Sequence, residues 1–128
     1  MADYRKRTKT VQHMTAREKS SILLIYTGGT IGMKEDPSIQ ALRPFDFSQI
    51  LAEVPELRKF AYRIDAVTFD PLIDSSDIEP DNWVTLASII EERYDEYDGF
   101  VILHGTDTMA YSASTLSFMI EDLTKPVI

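Results

Sequence analysis

The sequence contains no cysteine, and this absence excludes both a disulfide framework and any thiolate metal site. Histidine is nearly as scarce, since the chain has only two, far apart and without the H-x-x-x-H spacing of a metal-binding helix. Carboxylates remain candidate ligands for Ca²⁺ or Mg²⁺. No cofactor and no transition-metal site is implied, and the lack of cysteine fits a reducing compartment.

Long hydrophobic runs are also missing. The apolar runs are five or six residues long, whereas a membrane-spanning helix needs about 20. The first 20 residues lack the apolar segment of a signal peptide. We therefore expect a cytoplasmic protein that has no membrane partner.

Positive charge is concentrated at one end of the chain. Residues 1–20 carry a net charge of +4, which leaves −12 for the remaining residues out of a total of −8. The basic stretch lacks the interleaved aromatic residues of a nucleic-acid-binding arm, and the acidic body lacks the clustered cations that neutralise phosphates. We expect residues 1–20 to form a basic, flexible tail, and we expect no nucleic-acid partner.

Residues 21–128 have the apolar content of one globular domain, in which short apolar runs alternate with helical periods. Ile22–Tyr26 is a continuous apolar run next to glycines and predicts a buried strand. Two more strands are predicted, across Ile64–Phe69 and across Phe100–Leu103. A fourth strand is predicted to begin at Pro126–Ile128.

Three helices are predicted between these strands. A short one is capped by Asp46 and ended by Pro55. A second begins at Pro80, beside Asp81, and its apolar stripe comprises Trp83, Leu86, Ala87, Ile90 and Tyr94. The third follows the last complete strand, and its predicted core face is Met109, Ala113, Leu116 and Ile120, with Phe118 and Met119 also expected in the core.

Strands that alternate with helices predict an α/β fold: a three-layer domain with a mainly parallel sheet flanked by helices. Ligands bind beyond the carboxyl ends of the strands in such a sheet. Three polar stretches, "TGGTIG", "DSSD" and "HGTDT", each follow a predicted strand. We therefore expect these three stretches to converge on one site.

Hydroxyl groups are common to all three stretches. "TGGTIG" does not have the G-x-G-x-x-G spacing and no P-loop lysine is present, so a phosphate site is disfavoured. Glycine N–H groups, here those of Gly29 and Gly105, can stabilise an oxyanion, and a neighbouring threonine can then act as a nucleophile. Helix caps and turns use the same residue types, and each of these residues taken singly fits that alternative as well.

The stretches "TGGTIG", "PLIDSSD" and "DGFVILHGTDTMAYSAS", in this order, resemble the N-terminal part of the bacterial type I L-asparaginases, the cytoplasmic branch of the asparaginase and glutaminase family. The resemblance runs from about Ser21 to the last residue. It implies hydrolysis of L-asparagine to L-aspartate and ammonia through an acyl-enzyme, without a cofactor. It also implies a homodimer or homotetramer in which a neighbouring subunit completes each active site.

The resemblance assigns roles to individual residues. Thr30 matches the family's nucleophile, and Thr106 matches a second catalytic threonine that helps to activate water. Asp107 matches the carboxylate that holds the α-amino group of the substrate. The loop that binds the α-carboxylate matches three residues: Asp74, Ser75 and Ser76. These types suit a zwitterionic amino acid, because its ammonium group needs an anion and its carboxylate needs neutral donors.

The chain departs from the family pattern in two places. The segment Met33–Phe45 lacks the family's loop tyrosine, and Gln40 stands near its place. The family's catalytic lysine lies further along than residue 128, and neither Lys34 nor Lys125 matches it. We therefore expect residues 21–128 to be a domain incomplete at its C-terminal end, part of a longer enzyme and inactive alone.

Several alternatives stay open at this stage. Within the family, the main substrate is asparagine or glutamine, or the chain belongs to an amidotransferase component that supplies ammonia for a charged transfer RNA. From a different class, the chain is a non-catalytic module that binds an amino acid. His104 is placed to be a general base, but no third residue is evident to orient it, and we expect it to be structural.

Overall fold

The structure, a computed structural model, describes residues 8–11, 20–44, 54–60 and 62–128. Six strands are present in this part of the chain: β1 (Thr8–Val11), β2 (Ser21–Tyr26), β3 (Met33–Asp36), β4 (Ala41–Pro44), β5 (Arg63–Phe69) and β6 (Gly99–Leu103). The two α-helices of the described residues are α1 (Pro80–Glu92) and α2 (Met109–Met119). The predicted helix between Asp46 and Pro55 lies outside the described residues, apart from its last positions.

The main sheet has the strand order β1-β5-β2-β6, in which β5, β2 and β6 are parallel. Aliphatic residues on β2 pair with both neighbours, so that Ile25 lies beside Val67 on one strand and Ile102 on the other. All three predicted buried strands are confirmed. The predicted fourth strand is present as a parallel bridge between Val127 and Phe100. The predicted α/β fold, with a mainly parallel sheet flanked by helices, is confirmed.

An edge strand occurs inside the segment that was expected to be a tail. Thr8–Val11 forms β1, which runs antiparallel to β5 with Thr10 opposite Val67. Its β-branched residues suit a strand, but four residues carry too little pattern to predict one. Residues 1–7 and 12–19 lie outside the described part of the chain.

Helix α1 begins as predicted at Pro80, and the Asn82 side chain accepts a hydrogen bond from the Glu79 amide at 2.7 Å. The inward face of α1 packs against α2 and one face of the sheet to form the main core. The residues of this core include Leu23, Ile25, Val67, Phe69, Leu86, Ala87, Ile90, Phe100, Leu116 and Ile120. Tyr94 lies beyond the end of the helix and packs against the same cluster. The predicted stripe on α1 is confirmed.

The predicted core face of α2 is partly wrong. Leu116 and Ile120 are buried, whereas Met109 is 52% exposed and Ala113 is also exposed. The third inward residue is Ser112, because positions 112, 116 and 120 form one ridge at a spacing of four residues. Phe118 points away from the core and is 87% exposed, whereas Met119 packs against the core.

The opposite face of the sheet carries a smaller cluster around Tyr26 and Ala66, against which Leu57, from a 3₁₀ turn at Pro55–Lys59, is packed. At the amino end of the sheet, the Tyr97 hydroxyl donates to the buried carboxylate of Asp65 at 2.8 Å. The Arg63 guanidinium lies 5.0 Å above the Tyr97 ring and 3.3 Å from Asp65. The amino end of the sheet thus carries a polar cluster in which Asp65 and Tyr97 are buried and Arg63 is partly exposed.

Candidate active site

The three polar stretches converge at the carboxyl end of the sheet, as predicted. The Thr27 amide after β2 donates to Leu103 O of β6 at 3.0 Å, and the Ile73 amide of the loop after β5 donates to Thr27 O at 2.8 Å. The Thr108 hydroxyl after β6 donates to Ser75 O at 2.7 Å. These hydrogen bonds tie the three loops to one another.

Glycines allow the loops to approach this closely. A Cβ on Gly29 would lie 2.9 Å from the Cα of Gly105, and φ at Gly29 is +89°. A Cβ on Gly105 would lie 2.7 Å from the Cβ of Ser75 and closer still to its hydroxyl. Real Cβ atoms essentially never come within 3.0 Å of such neighbours. The backbones of "GGT" and "HGT" are therefore in direct contact, and each of the two glycines is followed by a threonine: Thr30 and Thr106.

The threonines of these loops fall into two groups. Thr27 is buried and donates its hydroxyl to Leu103 O at 3.1 Å, and the Thr108 hydroxyl is bound to Ser75. Thr30 opens a 3₁₀ turn, Thr30–Gly32, and is exposed, as is Thr106. The hydroxyls of Thr27 and Thr108 are therefore used in hydrogen bonds that join neighbouring segments, whereas Thr30 and Thr106 are exposed and each follows one of the two glycines in contact.

The loop after β5 is held by its own acidic residue. The Asp74 carboxylate accepts hydrogen bonds from the Ser76 amide at 3.0 Å and the Ser76 hydroxyl at 2.8 Å, and these bonds lower the pKa of Asp74. Ser75 is buried beneath Gly105. Asp107, on the adjoining loop, is exposed. The site thus combines a fixed turn with exposed carboxylates at its edge.

His104 is bound to protein atoms through both ring nitrogens. Its Nδ1 lies 2.6 Å from Gly105 O, and its Nε2 lies 2.9 Å from the Ser112 hydroxyl, which accepts from Trp83 Nε1 at 2.8 Å. Because a carbonyl only accepts, Nδ1 carries the proton, and Ser112 can donate to Nε2. These hydrogen bonds link the end of β6 to both helices and support the structural role predicted for His104.

The segment after "TGGTIG" is a hairpin of β3 and β4, closed by an ion pair of 3.1 Å between Arg43 and Asp36. Gln40 lies in the turn, with φ at +49°. A tyrosine does lie beside the glycines, but on β2: the Tyr26 hydroxyl donates to Gly29 O at 2.9 Å. This contact was not predicted from the sequence. The available signal was a tyrosine at the end of an aliphatic strand, since a buried hydroxyl requires a partner.

No cluster of three or more histidine, aspartate and glutamate side chains in the described residues is arranged to hold a metal ion. No described helix is long and apolar enough to cross a membrane. The fold and the site define an α/β domain whose ligand would lie at the carboxyl edge of a parallel sheet, among threonine hydroxyls, glycine amides and carboxylates.

Comparison with known families agrees with this class. Residues 21–128 match the family model described as "Asparaginase, N-terminal". The chain belongs to the asparaginase family, and the matched part is its N-terminal domain.

The chain is 50% identical over 114 residues to L-asparaginase 1 of Escherichia coli strain K12, covering 87% of this chain and 33% of that protein. The crystal structure of L-asparaginase I from Vibrio cholerae has 49% identity and a TM-score of 0.71, and the match covers 85% of this chain and 33% of that one. A glutamyl-tRNA(Gln) amidotransferase component of Sulfurisphaera tokodaii is 39% identical over 114 residues, covering 88% of this chain and 25% of that protein. The chain thus spans about a third or less of these relatives.

Proposed function

We propose that the protein containing this chain hydrolyses L-asparagine to L-aspartate and ammonia, and that the chain supplies the nucleophile. One observation carries the proposal: Gly29 and Gly105 lie in backbone contact, and each is followed by an exposed threonine. The contact supports a shared role for the two threonines, because it brings the loops that carry them together in a domain of the asparaginase family.

Thr30 is the proposed nucleophile. Its hydroxyl oxygen attacks the side-chain amide carbon of the substrate, the C–N bond breaks, and the hydroxyl proton leaves with the departing ammonia. Water then cleaves the threonine ester, and Thr106 orients that water. Amides at Gly29 and Gly105 are proposed to stabilise the oxyanion of the tetrahedral intermediates.

The remaining site residues are proposed to hold the α-substituents of the amino acid. Asp107 pairs with the α-ammonium group, because it is an exposed carboxylate directly after Thr106. At the loop Asp74–Ser76, the α-carboxylate is bound by Ser75, because the Ser76 amide and hydroxyl donate to Asp74 and hold the turn. Hydrogen bonds from Ser76 favour the ionised form of Asp74 and fix the turn.

The activity belongs to the whole protein, since the chain spans 33% of the L-asparaginases it matches. We propose that the protein is cytoplasmic, in keeping with the absence of cysteine. We also propose that it assembles as a homodimer or homotetramer, which light scattering would measure directly.

The test is ammonia release from L-asparagine and L-glutamine by the gene product that contains this chain. Thr30→Ala and Thr106→Ala should each lower kcat by at least about a hundredfold, as expected when a nucleophile or an oriented water is lost. Thr115→Ala, a loss of the same hydroxyl on helix α2, serves as the matched control and should keep full activity. Full activity in Thr30→Ala would refute the assigned nucleophile.

Glutamine is the second candidate substrate, because it carries the same side-chain amide as asparagine, and the similarity to a glutamyl-tRNA(Gln) amidotransferase supports a role in amidation as the alternative. One methylene separates the two amides and is worth only about 1 to 3 kcal/mol in a pocket. The ratio of kcat/KM for the two amides therefore decides between them. A rise in melting temperature with asparagine but no ammonia release would indicate a binding module instead.

A further inference from the structure

The hydroxyl of Tyr26 lies directly beneath the proposed nucleophile loop. Tyr26 is the last residue of β2, its side chain is fully buried, and its hydroxyl donates to Gly29 O at 2.9 Å. That carbonyl belongs to the peptide that links Gly29 to Thr30. Because the amide plane is rigid, the orientation of this peptide, together with the 3₁₀ conformation at Thr30, sets the direction of the Thr30 Cα–Cβ bond.

The same carbonyl closes the 3₁₀ turn that begins at Thr30. Gly29 O also accepts a bond from the Gly32 amide at 3.3 Å. Gly29 itself has φ at +89°, a region that glycine occupies freely together with several alternatives. Gly29 is restrained by its contact with Gly105 and by the Gly32 amide, and the Tyr26 hydroxyl adds a side-chain hydrogen bond that fixes its carbonyl.

Gly32 shows that the position of the Tyr26 ring is built into the turn. A Cβ on Gly32 would lie 2.6 Å from the Tyr26 hydroxyl oxygen and closer still to ring atoms. The turn therefore closes over the ring edge, and only glycine fits. Burial raises the pKa of Tyr26, which keeps the phenol protonated and able to donate.

We infer that Tyr26 is a positioning residue for Thr30: its hydroxyl fixes the Gly29–Thr30 peptide and thereby aims the nucleophile. The inference rests on the proposed function, because it assigns a purpose to Tyr26 only if Thr30 attacks the substrate. Tyr26 itself does not touch the substrate in this role. It acts through one peptide group.

The experiment compares Tyr26→Phe with Tyr97→Phe in the gene product that contains this chain. Both changes remove one hydroxyl from a buried ring, but Tyr97 bonds Asp65 at the opposite end of the sheet. Tyr26→Phe should lower kcat for the favoured amide by about tenfold, the value of one hydrogen bond, and should leave KM within about twofold, because only orientation is lost. Tyr97→Phe should lower the melting temperature and leave kcat unchanged.

Gly32→Ala is a second route to the same contact, since its methyl group displaces the Tyr26 ring while the hydroxyl is retained. We expect it also to lower kcat, and an electrophilic asparagine analogue should label Thr30 more slowly in both variants. Unchanged kcat and labelling in Tyr26→Phe, or in Gly32→Ala if Tyr26→Phe does not fold, would overturn the inference. Loss of activity in Thr30→Ala with normal Tyr26→Phe refutes only this inference, whereas full activity in Thr30→Ala refutes the proposed function.

Discussion

Replacement of Gly105 by alanine tests whether Gly105 packs directly against the Ser75 side chain of the loop after β5. The added Cβ would lie 2.7 Å from Ser75 Cβ and closer to its hydroxyl oxygen. Ser75 is buried, and its carbonyl is held by the Thr108 hydroxyl, so it cannot move aside without breaking that bond. Overpacking of this kind costs about 1 to 3 kcal/mol, and the rigid surroundings place Gly105→Ala near the upper end of that range.

The assay is a double-mutant cycle measured by urea unfolding of the gene product that contains this chain. Ser75→Gly removes both atoms that the new methyl group meets and costs about 1 kcal/mol alone through added chain entropy. If the clash is real, the double variant should be more stable than the sum of the single effects by about 1 to 2 kcal/mol. Strict additivity would refute the contact.

Three further predictions concern other parts of the molecule. The hydrogen bond from the Ser21 amide lowers the pKa of Asp98. Its contribution to stability is therefore present above about pH 4 and is lost as the pH falls through the lower pKa of the folded state. In Asp98→Asn, the urea concentration at the unfolding midpoint should fall less steeply as the pH is lowered. Tyr97→Phe removes a donor from buried Asp65 and should lower the free energy of unfolding in urea by about 1 to 3 kcal/mol. Ser112→Ala leaves an indole and an imidazole nitrogen without their partner and should cost a similar ~1 to 3 kcal/mol in thermal unfolding.

Each of these predictions has a clear contrary result. An Asp98→Asn profile identical to that of the parent would show that the carboxylate contributes nothing through its ionisation. Stability retained in Tyr97→Phe would mean that Asp65 has other adequate donors. Ser112→Ala with an unchanged melting temperature would remove the support for a structural role of His104.

Most of the sheet was predictable from the sequence, because β2 and β6 contain short continuous apolar runs typical of a buried strand, and β5 is rich in β-branched and apolar residues. Helix α1 was equally clear, since Pro80 marks its start. The inward face of α2 was not predictable. Apolar residues lie on every side of that helix, so periodicity does not select a face, and the residue that does enter the core, Ser112, is polar and is buried through its hydrogen bonds.

The convergence of the site loops could also be predicted, because it follows from the parallel sheet. Residue type and spacing alone did not separate the two threonines of "TGGT", which lie three positions apart, and only the family resemblance selected Thr30. Burial separates them: Thr27 is inside and hydrogen-bonded, and Thr30 is exposed. Tyr26 was missed for a related reason, since its contact depends on how the glycine turn folds back over β2.

The contact between Gly29 and Gly105 has a consequence for redesign of substrate choice. In the proposed active site, Gly29 and Gly105 offer no side chain that could be shortened or lengthened to suit a different amide. Under that proposal, discrimination between two substrates that differ by one methylene comes from groups on the other side of the substrate. A mutational library aimed at specificity should leave both glycines fixed and vary residues that face them across the bound amino acid.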